Sequence, residues 1–191
     1  MLRLLLSRAF WTLSRWRLTG ERRPQRSTVL VGAPHTSNWD FVLMLALAWR
    51  LRIKIHWLGK HSLFVGWRGP IMRALGGIPV DRSDPSRIVA EVVQRVHAGE
   101  EFGLVVTPDG TRSGNTHWKS GFYRIARQAG MPVTLGYVDG PTRTAGLGPT
   151  FDLTGDVAAD MDRIRTFYAD KRGVRPAHRV EPRLREEDRE D

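Results

Sequence analysis

The chain has 191 residues, 41% apolar and 26% charged, with no cysteine and a formal net charge of +10 at a sequence pI near 11.0. That length suits one domain with a sizeable core. The missing cysteine excludes disulfides, thiolate zinc sites and a cysteine nucleophile, while the positive balance points to an anionic partner: nucleic acid, an acidic membrane surface or a phosphorylated substrate.

The charge concentrates at the start. Residues 1–26 hold seven arginines and one acid, Glu21. Between the arginines lie Leu2, Leu4, Leu5, Leu6, Phe10, Trp11, Leu13, Trp16 and Leu18. Arginines interrupt every window long enough to span a bilayer. The apolar run is also too short, with no small-residue cleavage site after it, for a signal peptide. The pattern fits an amphipathic helix. One reading lays it in a membrane interface, with Trp11 and Trp16 at headgroup depth and Arg3, Arg8 and Arg15 reaching phosphates. The other packs it on the domain.

Beyond a polar connector at Gly20–Ser27, the chain alternates. A short buried strand is expected at Thr28–Gly32, a largely apolar helix at Phe41–Leu51 and a strand at Ile53–Leu58. A short helix at Pro70–Leu75 stops at Gly76-Gly77, followed by a strand at Ile78–Val80. Ser86–His97 places Ile88, Val89, Val92, Val93 and Val96 on one helical face. A strand at Phe102–Thr107 and a helix at Lys119–Gln128 follow, the latter stopped by Gly130. Next come a strand at Pro132–Val138 and a helix at Ala158–Ala169 with Met161, Ile164, Phe167 and Tyr168 inward. This is the pattern of a single α/β domain, with a mostly parallel or mixed central sheet flanked by helices and preceded by the N-terminal amphipathic helix. The expected division is a basic interfacial segment at 1–26, the domain at 27–171 and a polar, disordered tail at 172–191.

Four stretches at strand boundaries carry chemistry. Pro34-His35-Thr36-Ser37-Asn38-Trp39-Asp40 separates a histidine from a carboxylate by small polar residues. Either Asn38 or Asp40 caps the following helix, or His35 and Asp40 form an acid–base pair. Val80-Asp81-Arg82-Ser83, within Gly77-Ile78-Pro79-Val80-Asp81-Arg82-Ser83, and Pro108-Asp109-Gly110-Thr111-Arg112-Ser113 follow apolar runs, as the first stretch does, and Pro132-Val133-Thr134-Leu135-Gly136 opens a strand. Since α/β sheets bind ligands at the carboxyl ends of their strands, the first three are expected to meet on one edge, near Lys60, His61 and Lys119. That edge lacks a nucleophile elbow, a P-loop and the His-x-x-x-His metal spacing. A base without a protein nucleophile suits a substrate that supplies its own hydroxyl.

In order and spacing, the four stretches resemble the glycerophospholipid acyltransferases, the group containing 1-acylglycerol-3-phosphate acyltransferase. The resemblance covers roughly residues 28 to 138. It implies that His35 is the general base and Asp40 its partner. It also implies that Arg82 binds the acceptor's phosphate, with Asp109, Gly110, Thr111, Arg112, Lys60 and Lys119 in the substrate site. The implied co-substrates are an acyl-CoA or acyl carrier protein thioester and a lysophospholipid, with no tightly bound cofactor or metal. The place implied is the cytoplasmic face of an anionic membrane, held peripherally, with no nucleic acid as partner. Two departures stand out. The family usually has glutamate where Asp109 stands, so this carboxylate reaches one methylene less far. It also usually has a second proline where Leu135-Gly136 stands. Another lysolipid, or an amino-acid-derived lipid hydroxyl, is the alternative acceptor. A non-catalytic basic module binding membrane or nucleic acid is the rival of another class.

Overall fold

The computed structural model describes residues 1–80, 85–109 and 116–188. They form a single α/β domain around a seven-stranded mixed sheet. In chain order its elements are α1 (Leu2–Leu13), β1 (Arg17–Gly20), β2 (Thr28–Ala33), α2 (Trp39–Leu51), β3 (Ile55–Lys60), α3 (Arg68–Ala74), β4 (Gly77–Val80), α4 (Pro85–His97), β5 (Gly103–Val106), α5 (Gly121–Ala129), β6 (Val133–Asp139), β7 (Thr144–Phe151) and α6 (Val157–Tyr168). Strand order is β1-β7-β6-β2-β5-β3-β4. Five strands, β6, β2, β5, β3 and β4, run parallel, while β7 is antiparallel to β6 and β1 follows β7. The carboxyl ends of the five parallel strands therefore share one edge.

Side chains alternate across β2, as strand geometry requires. Val29, Val31 and Ala33 enter a core with Leu104, Val133, Leu135, Phe122, Met161 and Ile164. Leu30 turns to the opposite face, where Leu45, Leu47, Ile55, Trp57, Phe64 and Val105 pack. Two packed faces explain why β2 is apolar at nearly every position. The α4 stripe behaves as its spacing implies: Val92 is buried, with Ile88, Val89, Val93 and Val96 against the first core. In α6, Met161, Ile164 and Tyr168 are fully buried and Phe167 partly so.

Two strands depart from the sequence reading. β1 lies in the stretch read as the basic segment, and β7 in a stretch to which the sequence reading gave no element. β7 carries Gly146, Gly148 and Pro149, residues that ordinarily weaken a strand. Gly146 is needed there: a Cβ at that position would lie 1.8 Å from the carbonyl oxygen of Thr19 on β1. Through β1 the N-terminal segment joins the sheet instead of standing apart from the domain. Its helix also ends at Leu13 and packs on α2, where Ser7 Oγ and Trp11 Nε1 both donate to the Ala46 carbonyl, at 2.7 and 3.2 Å.

The tail also differs from expectation. Residues 172–188 lie on the domain, with short 3₁₀ turns at Pro176–His178 and Arg185–Asp188. Leu184 is the reason: it is buried and bridges to Trp118, while Val180 packs against the first core. Two apolar anchors suffice to dock an otherwise charged segment.

The Tyr168 hydroxyl fastens α6 beneath the carboxyl edge, lying 3.0 Å from the Val31 carbonyl and 2.9 Å from that of Gly136. Burial, with the nearby Asp109 carboxylate, pushes its pKa well above the ordinary phenol value, so it stays a donor. Tyr168→Phe is expected to cost about 1–2 kcal/mol in chemical denaturation, because it removes a buried hydrogen bond without changing shape.

Candidate active site

β2 ends at Ala33, and the turn before α2 carries His35 to Asn38. His35 Nδ1 lies 3.2 Å from Asp40 Oδ2. The same oxygen accepts the backbone N–H groups of Thr36 and Ser37, each at 2.7 Å. Asp40 thus sits in the first turn of α2 yet folds back onto the turn preceding the helix. Its carboxylate serves the turn and lies within reach of the His35 ring. Thr36, Ser37 and Asp40 are all buried, whereas the His35 side chain keeps 21% of its surface exposed. A proton on Nδ1, facing the carboxylate, would leave Nε2 with a lone pair, and Nε2 has no hydrogen-bond partner among the described residues.

From the turn after the neighbouring strand β5, Asp109 reaches under the His35 turn. Its Oδ2 accepts the His35 backbone N–H at 2.6 Å, and the residue is 2% exposed. This carboxylate, expected to meet the acceptor, braces the backbone of the histidine. Burial pushes its pKa up to about 6, against the opposing pull of the His35 N–H and ring, with nearby Asp40 adding to the rise.

A raised carboxyl pKa means that the folded chain keeps a proton which the unfolded chain has already lost. Stability from this group is therefore full below the ordinary aspartate pKa and fades as pH rises through about 6. The expected loss between about pH 4 and 6 is at most about 3 kcal/mol. Asp109→Asn, which still offers an acceptor to His35, should flatten that part of the pH–stability curve. Chemical denaturation at several pH values measures the slope.

The remaining sequence candidates are placed unevenly. Lys60 is exposed at the carboxyl end of β3, and exposed Lys119 has its backbone N–H on the Pro108 carbonyl at 2.8 Å. Both adjoin the edge that holds His35. β4 ends at Val80 on that edge too, but Arg82, Gly110, Thr111 and Arg112 lie outside the described residues. In the N-terminal helix, Trp11 is turned toward α2 by its indole hydrogen bond and packs against the second core, which corrects its reading as a headgroup anchor. The Arg3 guanidinium donates to the Ala74 carbonyl at 2.8 Å and stacks over Trp49. Arg8 and Arg15 are exposed and Trp16 is half-buried. Among the described residues no helix is long and apolar enough to cross a membrane, and no His, Asp or Glu cluster is set to hold a metal ion.

Sequence reasoning missed two supports of this site. One is Tyr168, whose inward position was expected but whose hydroxyl contact was not. The other is the C-terminal segment, where Arg175 N donates to Thr36 Oγ1 at 3.0 Å. Apolar Val180 and Leu184 in an otherwise polar tail were the available signal. An open groove of about 610 Å³, lined in part by Arg22, Arg23, Arg26 and Asp152, lies beside Pro132 at the amino end of β6. It is at the opposite end of the sheet from His35.

A protein-family model described as Acyltransferase matches residues 15–135. No curated protein sequence matches the chain. Among solved structures, the fold is similar to that of the 1-acyl-sn-glycerophosphate (LPA) acyltransferase PlsC from Thermotoga maritima. The TM-score is 0.55 at 17% identity, over 88% of this chain and 74% of that one.

Proposed function

This chain belongs to the acyltransferase family, and on that premise we infer that it moves an acyl group from a thioester to the hydroxyl of a lysophospholipid such as 1-acylglycerol-3-phosphate. The observation that carries the reading is the His35–Asp40 pair, set at the carboxyl edge of the parallel strands, with Nδ1 3.2 Å from the Asp40 carboxylate and Nε2 without a partner among the described residues.

In the step so inferred, Nε2 takes the acceptor's hydroxyl proton as its oxygen attacks the thioester carbonyl. Asp40 stabilises the imidazolium through Nδ1. The tetrahedral intermediate collapses, the C–S bond breaks, and the thiolate takes the proton back from His35. The acceptor gains the acyl group and the thiol leaves intact. Arg82 and Arg112 are assigned to the acceptor phosphate, where guanidinium groups bind in a fixed register. The donor is acyl-CoA or acyl carrier protein, and no tightly held cofactor enters the reaction.

The same reading seats the protein peripherally on the cytoplasmic face of an anionic membrane. Support comes from the arginine-rich start of the chain and from exposed apolar side chains at Leu2, Leu5 and Leu6 on α1, Trp39 on α2, and Trp67 and Ile71 around α3. Amphiphilic acceptors reside in such an interface.

The test is mass spectrometry of products after the full chain is incubated with mixed lysolipids and acyl thioesters on anionic vesicles. Phosphatidic acid from lysophosphatidic acid is the expected product. Acylation of a different lysolipid, or of an amino-acid-derived lipid alone, would replace the acceptor assignment; release of free fatty acid alone would sink acyl transfer.

A further inference from the structure

The segment after α6 crosses the carboxyl edge of the sheet and ties three of its loops together. At the end of β6, Gly173 N donates to Val138 O at 3.1 Å and Gly173 O accepts from Gly140 N at 2.9 Å, while Arg172 N donates to Asp139 Oδ1 at 2.9 Å. In the middle, Arg175 N donates to Thr36 Oγ1 at 3.0 Å, and His178 Nδ1 lies 3.4 Å from the Thr36 carbonyl. At the far end, Arg183 O accepts from Trp118 N at 2.8 Å, and Leu184 is buried beside Trp118. Trp118 in turn precedes Lys119, which is bonded back to the Pro108–Asp109 turn.

Thr36 is where this strap meets the His35 turn. It is fully buried, its own N–H is held by Asp40, and its hydroxyl is held by Arg175. Gly173 fits against it so closely that a Cβ there would come 2.7 Å from both Thr36 Cγ2 and Oγ1. Gly173 also has φ +72°, a conformation side chains rarely adopt.

We propose that Thr36 is a positioning residue for His35, and that the C-terminal strap acts on the acyl-transfer step by clamping it through the Thr36 hydroxyl. The proposal rests on the acyltransferase reading of the site. The His35 backbone N–H and the residue that follows it are each held by a contact from outside the turn: Asp109 on one side and Arg175 on the other. Proton abstraction depends steeply on such alignment, and binding of the two substrates elsewhere does not.

The experiment compares Thr36→Val, Thr36→Ser and Gly173→Ala in the full chain. Valine keeps the shape and removes the acceptor for Arg175; serine restores it; alanine at 173 leaves Thr36 itself unchanged but drives a Cβ against its side chain, forcing the strap away from it. Expected is a kcat lower by roughly tenfold to a hundredfold in Thr36→Val and Gly173→Ala. The donor and acceptor KM should stay within about twofold, and Thr36→Ser should recover most of kcat. If Thr36→Val does not fold, Gly173→Ala against Thr36→Ser carries the same comparison. Unchanged kcat in both Thr36→Val and Gly173→Ala, or an equal loss in Thr36→Ser and Thr36→Val, overturns the proposal.

Amide hydrogen exchange at Thr36 and Ser37 separates this idea from the activity it rests on. Faster exchange there in Thr36→Val upholds the clamp even if the wild-type chain acylates no lysolipid, whereas unchanged protection overturns it.

Discussion

Replacing His35 by alanine should lower acyl transfer by roughly 10²–10⁴-fold, the share a positioned general base contributes, and should leave the protein folded. The chemical part follows from the ring's position. His35 is the imidazole paired with Asp40, its side chain is partly exposed, and its Nε2 has no partner among the described residues. The folding part follows from what anchors the turn. Asp109 holds the His35 backbone N–H, and Asp40 holds the two that follow, so alanine keeps every one of these bonds. The side chain removed is partly exposed; its loss opens no sealed cavity. Steady-state rates with a confirmed acceptor, alongside thermal melting, check both halves. Wild-type turnover in the variant would remove His35 from the mechanism.

Asp40→Asn should approach the loss of the His35 variant, and for a different reason. An asparagine carbonyl can still accept from Thr36 and Ser37. That oxygen is the one facing Nδ1, so the asparagine amide nitrogen takes the place of Oδ1 and the ring keeps a neutral acceptor in front of Nδ1. What is lost is the negative charge that stabilises the imidazolium, and in hydrolytic triads the equivalent exchange costs about 10⁴ in kcat. Stability should change little.

Asp40→Ala makes the contrast. It strands two buried N–H groups, each costing about 1–3 kcal/mol when left unpaired, and so should lose stability as well as rate. If asparagine and alanine destabilise equally, Asp40 is serving the turn and not the imidazole.

The periodic elements were legible in the chain because periodicity records burial directly. The α4 valines and the α6 stripe of Met161, Ile164 and Tyr168 each project from one helical face, and their packing follows from that alone. The His35–Asp40 spacing was legible in the same local way: four residues fill one turn between a strand and a helix. What could not be read was whatever depends on contacts distant in sequence. β7 looks like a loop because its glycines answer to Thr19 and Phe167, which are far away in the chain. Asp109 reads as a turn residue whose carboxylate is available to a ligand; only the parallel pairing of β2 with β5 puts it beneath His35. The tail reads as solvated because two apolar anchors disappear among its charges, and their partner, Trp118, lies more than sixty residues earlier.

The parallel sheet exists to bring such distant loops together, and the base it presents is defined by where one proton resides. Nitrogen-15 spectra of the His35 imidazole in the intact, ligand-free chain, recorded above the pH at which the ring loses its charge, read that proton directly. The expected result is a protonated Nδ1 facing Asp40 and a bare Nε2. A neutral ring protonated on Nε2 would contradict the assignment of His35 as the group that deprotonates the acceptor.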